Sequence, residues 1–525
     1  MTEDGTTMKM RKLDTLGMAL ATWGMGAAVF VACTPPAAED DDSMMGSTTT
    51  PMSMTTSGTT AVDDNDAADT IMEKLDTNQT NDTDNVPNCV TDGSCDLIDM
   101  VFVIDNSGTM GEEQLNLARN FQQLVDELEN LKDPEGNDVN PNVNIMVTTT
   151  DFGHPLCTAF QKPDYTPRQG APVYQGCNAR LNRFTGLDPM APIIIEEACT
   201  ENCPADIAPG DHFINFRGST SNVPNNDVGA ALSCIGPQGI DGCGYEAPLE
   251  TMLQAINEGS CWNNPDQEIC DKNPEWADTT RGFLRDDAIL VIAMITDEMD
   301  CSVQAPNGYS FFTDIENTIY WNVNPELEIP QATSAVCFNS GVTCTDNNGD
   351  GLYEDGCVAQ QSEVLHPVTR YTQYLDYLSQ GKGKEVIMLG ILGVPEVVAH
   401  NPNPPFEPTA GGAADLLYRN WIDFPYPNGD ILPDEWAAGR RSVNKIFEFG
   451  DIGPGCTGQD EAGDFTGQAI PPVRIREVCE HLNYFDEEEQ EERIRCCIES
   501  ICDTDFSPAI RCLTGVISDA IGQAG

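Results

Sequence analysis

Histidine is scarce, with five copies in 525 residues, and positive charge is thin: 26 Lys and Arg face 85 Asp and Glu, a formal net charge of −59. Active centres built on imidazole therefore have little to draw on. H-E-x-x-H, G-x-S-x-G and G-x-x-x-x-G-K-[ST] are all missing, so zinc protease, nucleophile-elbow and phosphate-loop chemistry have no carrier. A two-metal hydrolase would need more His and carboxylate ligands than the strands offer, and the chain is expected not to be an enzyme. The shortage of Lys and Arg also argues against nucleic acid or an anionic lipid surface as binding partner, since both attract basic patches. Negative charge this dense serves solubility and cation attraction, and the run Asp486 to Glu492 reads as a solvated helix face.

Cysteine, by contrast, is plentiful. Of 21 copies, setting Cys33 aside leaves an even 20, enough for ten disulfides, which persist outside the cytosol. Cys496 and Cys497 are adjacent and are expected to bridge to different partners among Cys479, Cys502 and Cys512. Zinc is the weaker reading, because Cys199 and Cys203 lack a C-x-x-C partner and the spacings are irregular.

Export is also written at the amino terminus. Lys9, Arg11 and Lys12 precede an uncharged run from Leu16 to Ala32 that ends FVAC at Cys33, the pattern of a cleaved signal peptide. It resembles a bacterial lipoprotein signal, with Cys33 as the lipidated residue and Phe30 where Leu is usual. That resemblance implies a lipid anchor in the cell envelope, and Thr34 after Cys33 favours the outer membrane or cell surface. An uncleaved membrane span is the alternative, and Glu3 and Asp4 point to a start at Met8 or Met10. Residues 33–94 are Thr-, Ser- and Asp-rich with no apolar period, too polar to offset the entropy of ordering. Such a tether reaches about 40 Å from its anchor.

The body is expected to be α/β. Val101 to Ile104 and Ala288 to Ile295 are apolar without alternation, as in strands covered on both faces of a parallel sheet. Val143 to Asp151 and Glu385 to Gly393 read as further strands. Gly111 onward reads as a helix with Leu115, Ala118, Phe121, Gln122, Val125 and Leu128 near helical spacing. DVGAALSCI, PLETMLQAINEG and SPAIRCLTGVISDAI read as helices too, and alternation of the two kinds gives a parallel-rich sheet flanked by helices. Residues 95–525 are taken as one domain, with disulfide-stapled insertions at about 152–226 and 301–365 and a Cys-rich carboxyl-terminal helical segment.

The first strand runs straight into Asp105, Ser107 and Thr109, three hard oxygen side chains at alternate positions. The second ends in Thr296, Asp297, Glu298 and Asp300. Ligands bind at the carboxyl edge of open α/β sheets, and Mg²⁺ is typically held by one or two carboxylates plus neutral oxygens. Helix capping by Asp, Ser and Thr is the plain alternative for the first loop alone.

Together these strings resemble a von Willebrand factor type A domain with a metal ion-dependent adhesion site, a Rossmann-like fold. Its loop is usually D-x-S-x-S, so Thr109 is a departure that keeps the hydroxyl. The resemblance implies direct ligation by Ser107 and Thr109, water-mediated roles for Asp105 and Asp297, and Mg²⁺ or Mn²⁺ as the ion. The family's Thr from a Gly-rich loop has no match; Glu246 in GCGYEAPLETMLQAI is the candidate replacement. Glu298 stands where the family has Gly. FLRDDAILVIAMITDEMDCS, GCGYEAPLE and SICDTDFSPAI further resemble cysteine-rich bacterial secreted proteins with such a domain. The function this resemblance implies is cation-dependent binding to a protein or glycan that offers an acidic group. The alternative expectation is an envelope assembly component whose metal only stabilises the fold.

A second oxygen loop lies at Cys344 to Cys357. Asp346, Asn348 and Asp350 alternate and Gly351 follows, matching the first half of a D-x-[DN]-x-[DN]-G calcium loop, with Leu352 as a carbonyl donor. Cys357 stands in place of the closing Glu, leaving Glu354 or Asp355 to complete a Ca²⁺ shell. An Asn-Gly turn closed by a Cys344–Cys357 disulfide is the alternative.

Overall fold

A computed structural model describes residues 96–525 apart from 160, 187–197, 200–202, 205, 264–281, 434–440, 460–462, 464, 487–489 and 523–525. The signal peptide, Cys33 and the tether lie outside the described residues. No described helix is long and apolar enough to cross a membrane.

Two-faced apolar runs become the centre of a seven-stranded sheet. In chain order its parts are β1 (Leu97–Ile104), α1 (Gly111–Glu129), β2 (Asn142–Thr149), β3 (Ile214–Arg217), β4 (Thr220–Ser221), α2 (Val228–Ile235) and α3 (Pro248–Ala255). Then come β5 (Ile289–Ile295), α4 (Thr369–Asp376), β6 (Val386–Leu392), α5 (Val473–Glu480), β7 (Cys496–Ser500) and α6 (Ser507–Gly522). The strand order is β7-β6-β5-β1-β2-β3-β4, with the first five mutually parallel and β3 and β4 added as an antiparallel edge.

Side chains alternate across β1, and each half meets a separate helical layer. Met100, Phe102 and Ile104 pack with Leu117, Phe121 and Leu124 of α1, with α2 and with α6. Val101 and Val103 face the opposite layer, where Leu249 and Met252 of α3, Tyr371 and Tyr374 of α4 and Ile475 of α5 lie. A third, smaller core containing Phe312, Val336, Phe338, Trp421 and Ile452 sits under the long connections that come after β5 and β6.

Several expectations shift. The buried stripe of α1 is Gln114, Leu117, Phe121, Leu124, Val125 and Leu128, while Gln122 is exposed and Leu115 and Ala118 are only half-buried. The turn after β1 sets the helix phase, and a 19-residue helix with mixed polarity does not declare it. The acidic run from Asp486 is not a helix face: Tyr484–Asp486 pairs antiparallel with Glu491–Arg493, and Arg493 pairs with Asp486 across that hairpin and with Glu491 on its own strand. The insertion at 152–226 also supplies β3 to the sheet, and the carboxyl-terminal segment contributes β7 besides its helices.

All described cysteines are disulfide-bonded, in eight pairs with both partners described plus Cys261. Cys496 and Cys497 point to opposite faces of β7, so Cys496 bonds Cys479 of α5 and Cys497 bonds Cys512 of α6. Cys502 instead pairs with Cys456.

Candidate functional site

The chain leaves β1 toward β2 on one side, then returns to β5 on the other. That reversal opens a crevice beyond the carboxyl ends of β1 and β5, the place where open α/β sheets take ligands. Register brings three strand ends level there: Ile104 is opposite both Thr149 and Ile295. Asp105, Asp151 and Asp297 therefore leave the sheet at one edge.

Asp105 is fixed by hydrogen bonds from its own chain. Its N–H donates to the Ile295 carbonyl (2.9 Å), Oδ1 accepts the Ser107 N–H (2.7 Å) and Oδ2 accepts the Thr296 hydroxyl (2.5 Å). This tight turn brings the Ser107 and Thr109 hydroxyls to 3.3 Å, with Ser107 buried and Thr109 exposed at the mouth. Gln114, 1% exposed, clamps the loop: its side-chain N–H groups donate to the Asp105 and Gly239 carbonyls, and its oxygen accepts from Gln238 and Gly239.

Glu246 approaches from the segment before α3. Gly242 packs so closely that an added Cβ would lie 2.5 Å from the Asn106 carbonyl, and its N–H donates to that oxygen (2.8 Å). Ala247 N–H donates to Thr150 and the Glu246 carbonyl accepts from Cys301. Backbone pinning on both sides leaves Glu246 1% exposed, with the Thr150 hydroxyl close by but neither carboxylate oxygen in a hydrogen bond of normal geometry. Asp297 Oδ1 is likewise buried and unpartnered.

Electrostatics reflect this crowding. Burial raises the Asp105 carboxyl to about 6 against the hydrogen bonds from Thr296 and Ser107, and half-buried Glu113 and Glu298 rise to about 7 and about 8. Glu246 and Asp297 are pushed far above the usual range, by burial first and then by neighbouring carboxylates including Asp105. Nearby hydroxyls act in the opposite direction, Thr150 on Glu246 and Thr109 on Asp297. Lys445, acting on Glu298, is the one cationic side chain among the causes of these five shifts.

Asp105, Ser107, Thr109, Glu246 and Asp297 thus gather at one edge of the sheet, close enough for Asp105 to act on both Glu246 and Asp297. Asp300 does not join them: it is buried against Arg474 (2.9 Å) and accepts from Ser302 and the first turn of α3, stapling α3 and α5 to the β5 edge. Asp151 is an addition. Its oxygens accept from Gly153, Gln161 and Tyr165, and Tyr165 accepts from Asn106, so this carboxylate braces the Asp105 loop. Its signal was present as the acid ending VNIMVTTTD.

The second oxygen loop is built differently. A hairpin of Val342–Cys344 and Cys357–Ala359, closed by the Cys344–Cys357 disulfide, presents Asp346, Asp350 and Glu354 with carboxylate oxygens within 4.8 Å of one another. Asp346 accepts the N–H groups of Asn348, Gly349 and Gly351, which lowers its pKa. Asn348 donates to Glu354 (2.5 Å), and Leu352 N–H donates to Asp350. Asp355 turns to Asn347 and stays outside the trio. Cys177, Cys199 and Cys203 also cluster, but they belong to the Cys177–Cys199 and Cys203–Cys234 disulfides and offer no thiolate.

No protein-family model matches the chain, and no curated protein matches it.

Proposed function

We propose that the β1/β5 crevice is a divalent-cation site for Mg²⁺ or Mn²⁺ in a sheet of the von Willebrand factor A type. In this reading the chain is an exported, lipid-anchored envelope protein, and the site takes an acidic group of a protein or glycan ligand. Glu246 carries the reading: a fully buried carboxylate with two unpartnered oxygens, surrounded by further acids. Such a group is costly to bury unless it stays protonated or gains a counter-charge.

Ser107 and Thr109 are the neutral oxygens that would touch the ion, Glu246 the anionic one, and Asp105 and Asp297 would act through water. Bound there, the ion supplies an electrophilic position for one carboxylate oxygen. The rest is done by the protein: Gln114 and Thr296 hold the Asp105 loop, Asp151 braces it through Tyr165 and Asn106, and exposed Thr109 leaves the mouth open. Seventeen disulfide-bonded cysteines agree with an oxidising compartment.

Calorimetric titration of Mg²⁺ and Mn²⁺ into the full chain, with and without Asp105→Ala, tests this. The crevice heat should vanish in the variant while circular dichroism is retained; equal heats in both proteins contradict it. Metal binding with no cation-dependent partner in an envelope extract would favour a stabilising metal in an assembly component. The trio Asp346, Asp350 and Glu354 supports a second, structural site for Ca²⁺, tested by the same titration with Asp350→Ala.

A further inference from the structure

The insertion after β5 carries a run of exposed large aliphatic residues. Ile315 (81%), Ile319 (75%), Val323 (57%), Leu327 (54%) and Ile329 (50%) fall within fifteen residues. Scattered single exposures need no explanation, whereas a group of this kind marks an interaction surface.

These residues do not sit on a frayed loop. The Trp321 indole N–H donates to the Phe311 carbonyl (2.6 Å), and Phe311 packs against Tyr320. Asn322–Val323 pairs with Pro330–Gln331, and Asn324 N–H closes the turn on the Ile329 carbonyl. Asn339 donates to Tyr320 and Asn322, and Asn322 donates to Ile446, fastening the arm to the helices Ala335–Gly341 and Ser442–Phe449. The polar groups of the arm's base are hydrogen-bonded inward, while the aliphatic side chains face water alongside acidic ones.

Charge narrows the occupant. Between Arg285 and Arg370 the chain has no Lys or Arg, and Asp314, Glu316, Glu326 and Glu328 interleave with the aliphatic residues. Like charge opposes docking of a second copy of this −59 chain or an anionic bilayer. The root of the arm also adjoins the crevice: Tyr309 and Phe312 pack edge-on to His154, which stacks on Tyr245, the neighbour of Glu246.

We propose that the arm at 314–331 is a docking surface for a protein with an apolar face rimmed by Lys and Arg. Its evidence is separate from the cation site, and it stands or falls without it. The probe is an amphipathic Leu/Lys peptide titrated by fluorescence anisotropy into the full chain and into Ile315→Ser/Ile319→Ser/Leu327→Ser, in chelator so that crevice binding does not contribute. A Leu/Glu peptide and phosphatidylcholine vesicles serve as comparisons. The expected result is at least ten-fold weaker Leu/Lys binding by the variant, with unchanged circular dichroism. Equal affinity in both proteins, equal binding of the Leu/Glu peptide, vesicle capture that depends on the three residues, or self-association that depends on them would each overturn it. The substituted side chains are more than half exposed, so the variant keeps its fold.

Discussion

Two oxygen-rich loops with nearly the same spacing of donors solve opposite problems. The loop at 346–355 is exposed, and its acids are answered by backbone amides: Asp346 alone accepts three. The crevice at β1 and β5 is buried, and its acids answer one another. Amide hydrogen bonds pull the Asp346 carboxyl down in the first, whereas burial raises Asp105, Glu246 and Asp297 in the second. The exposed loop is preorganised by its own chain, so its acids are held without a cation, and an ion there would brace this hairpin locally. In the crevice a cation would relieve repulsion that the fold otherwise has to sustain.

The largest expected effect comes from the unpartnered carboxylate. Glu246→Gln keeps the shape and removes the charge; in chelator at pH 8 the melting temperature should rise by several degrees, while Mg²⁺ affinity falls at least ten-fold by calorimetry. A lower melting temperature in chelator would mean that Glu246 already has a compensating partner.

Next comes pH. Asp105, Glu113 and Glu298 titrate near 6, 7 and 8 in the folded chain, above the 3.8 and 4.5 of free side chains. The fold therefore binds these protons more tightly than the unfolded chain does. Their stabilising contribution is complete below about pH 4 and is lost as pH rises to about 8. Metal-free protein should melt progressively lower from pH 5 to pH 8, saturating Mg²⁺ should flatten that slope, and a scan of melting temperature against pH reads both.

Smaller effects separate the two loops. Gly242→Ala forces a Cβ against the Asn106 carbonyl and should cost about 1–3 kcal/mol in denaturant unfolding, with weaker Mg²⁺ binding and unchanged Ca²⁺ binding. Asp346→Ala frees amides that water can take up, so denaturant unfolding should barely change; its visible effect should be loss of Ca²⁺-dependent protection from proteolysis between Cys344 and Cys357.

Much of this organisation was legible in the sequence where a physical constraint was local. Unalternating apolar runs at Val101–Ile104 and Ala288–Ile295 fit covered strands, and acids at their ends must meet if the strands are neighbours, as the pairing of Ile104 with Ile295 makes them. Adjacent Cys496 and Cys497 had to diverge because neighbouring strand residues face opposite ways. Non-local facts were not legible. Gln114 looks like any helix-surface amide until the Gly239 segment, 125 residues away, is placed beside it. The four residues of β3 are too few to stand out from a Pro- and Gly-rich insertion, and the phase of α1 depends on a turn whose geometry is set by Asp105.

Anomalous diffraction from crystals soaked in Mn²⁺ would locate the ion itself. A cation site at the ends of β1 and β5 requires a peak within coordination distance of the Ser107 and Thr109 hydroxyls. Density confined to the Asp346, Asp350 and Glu354 loop, with none in the crevice, would contradict it.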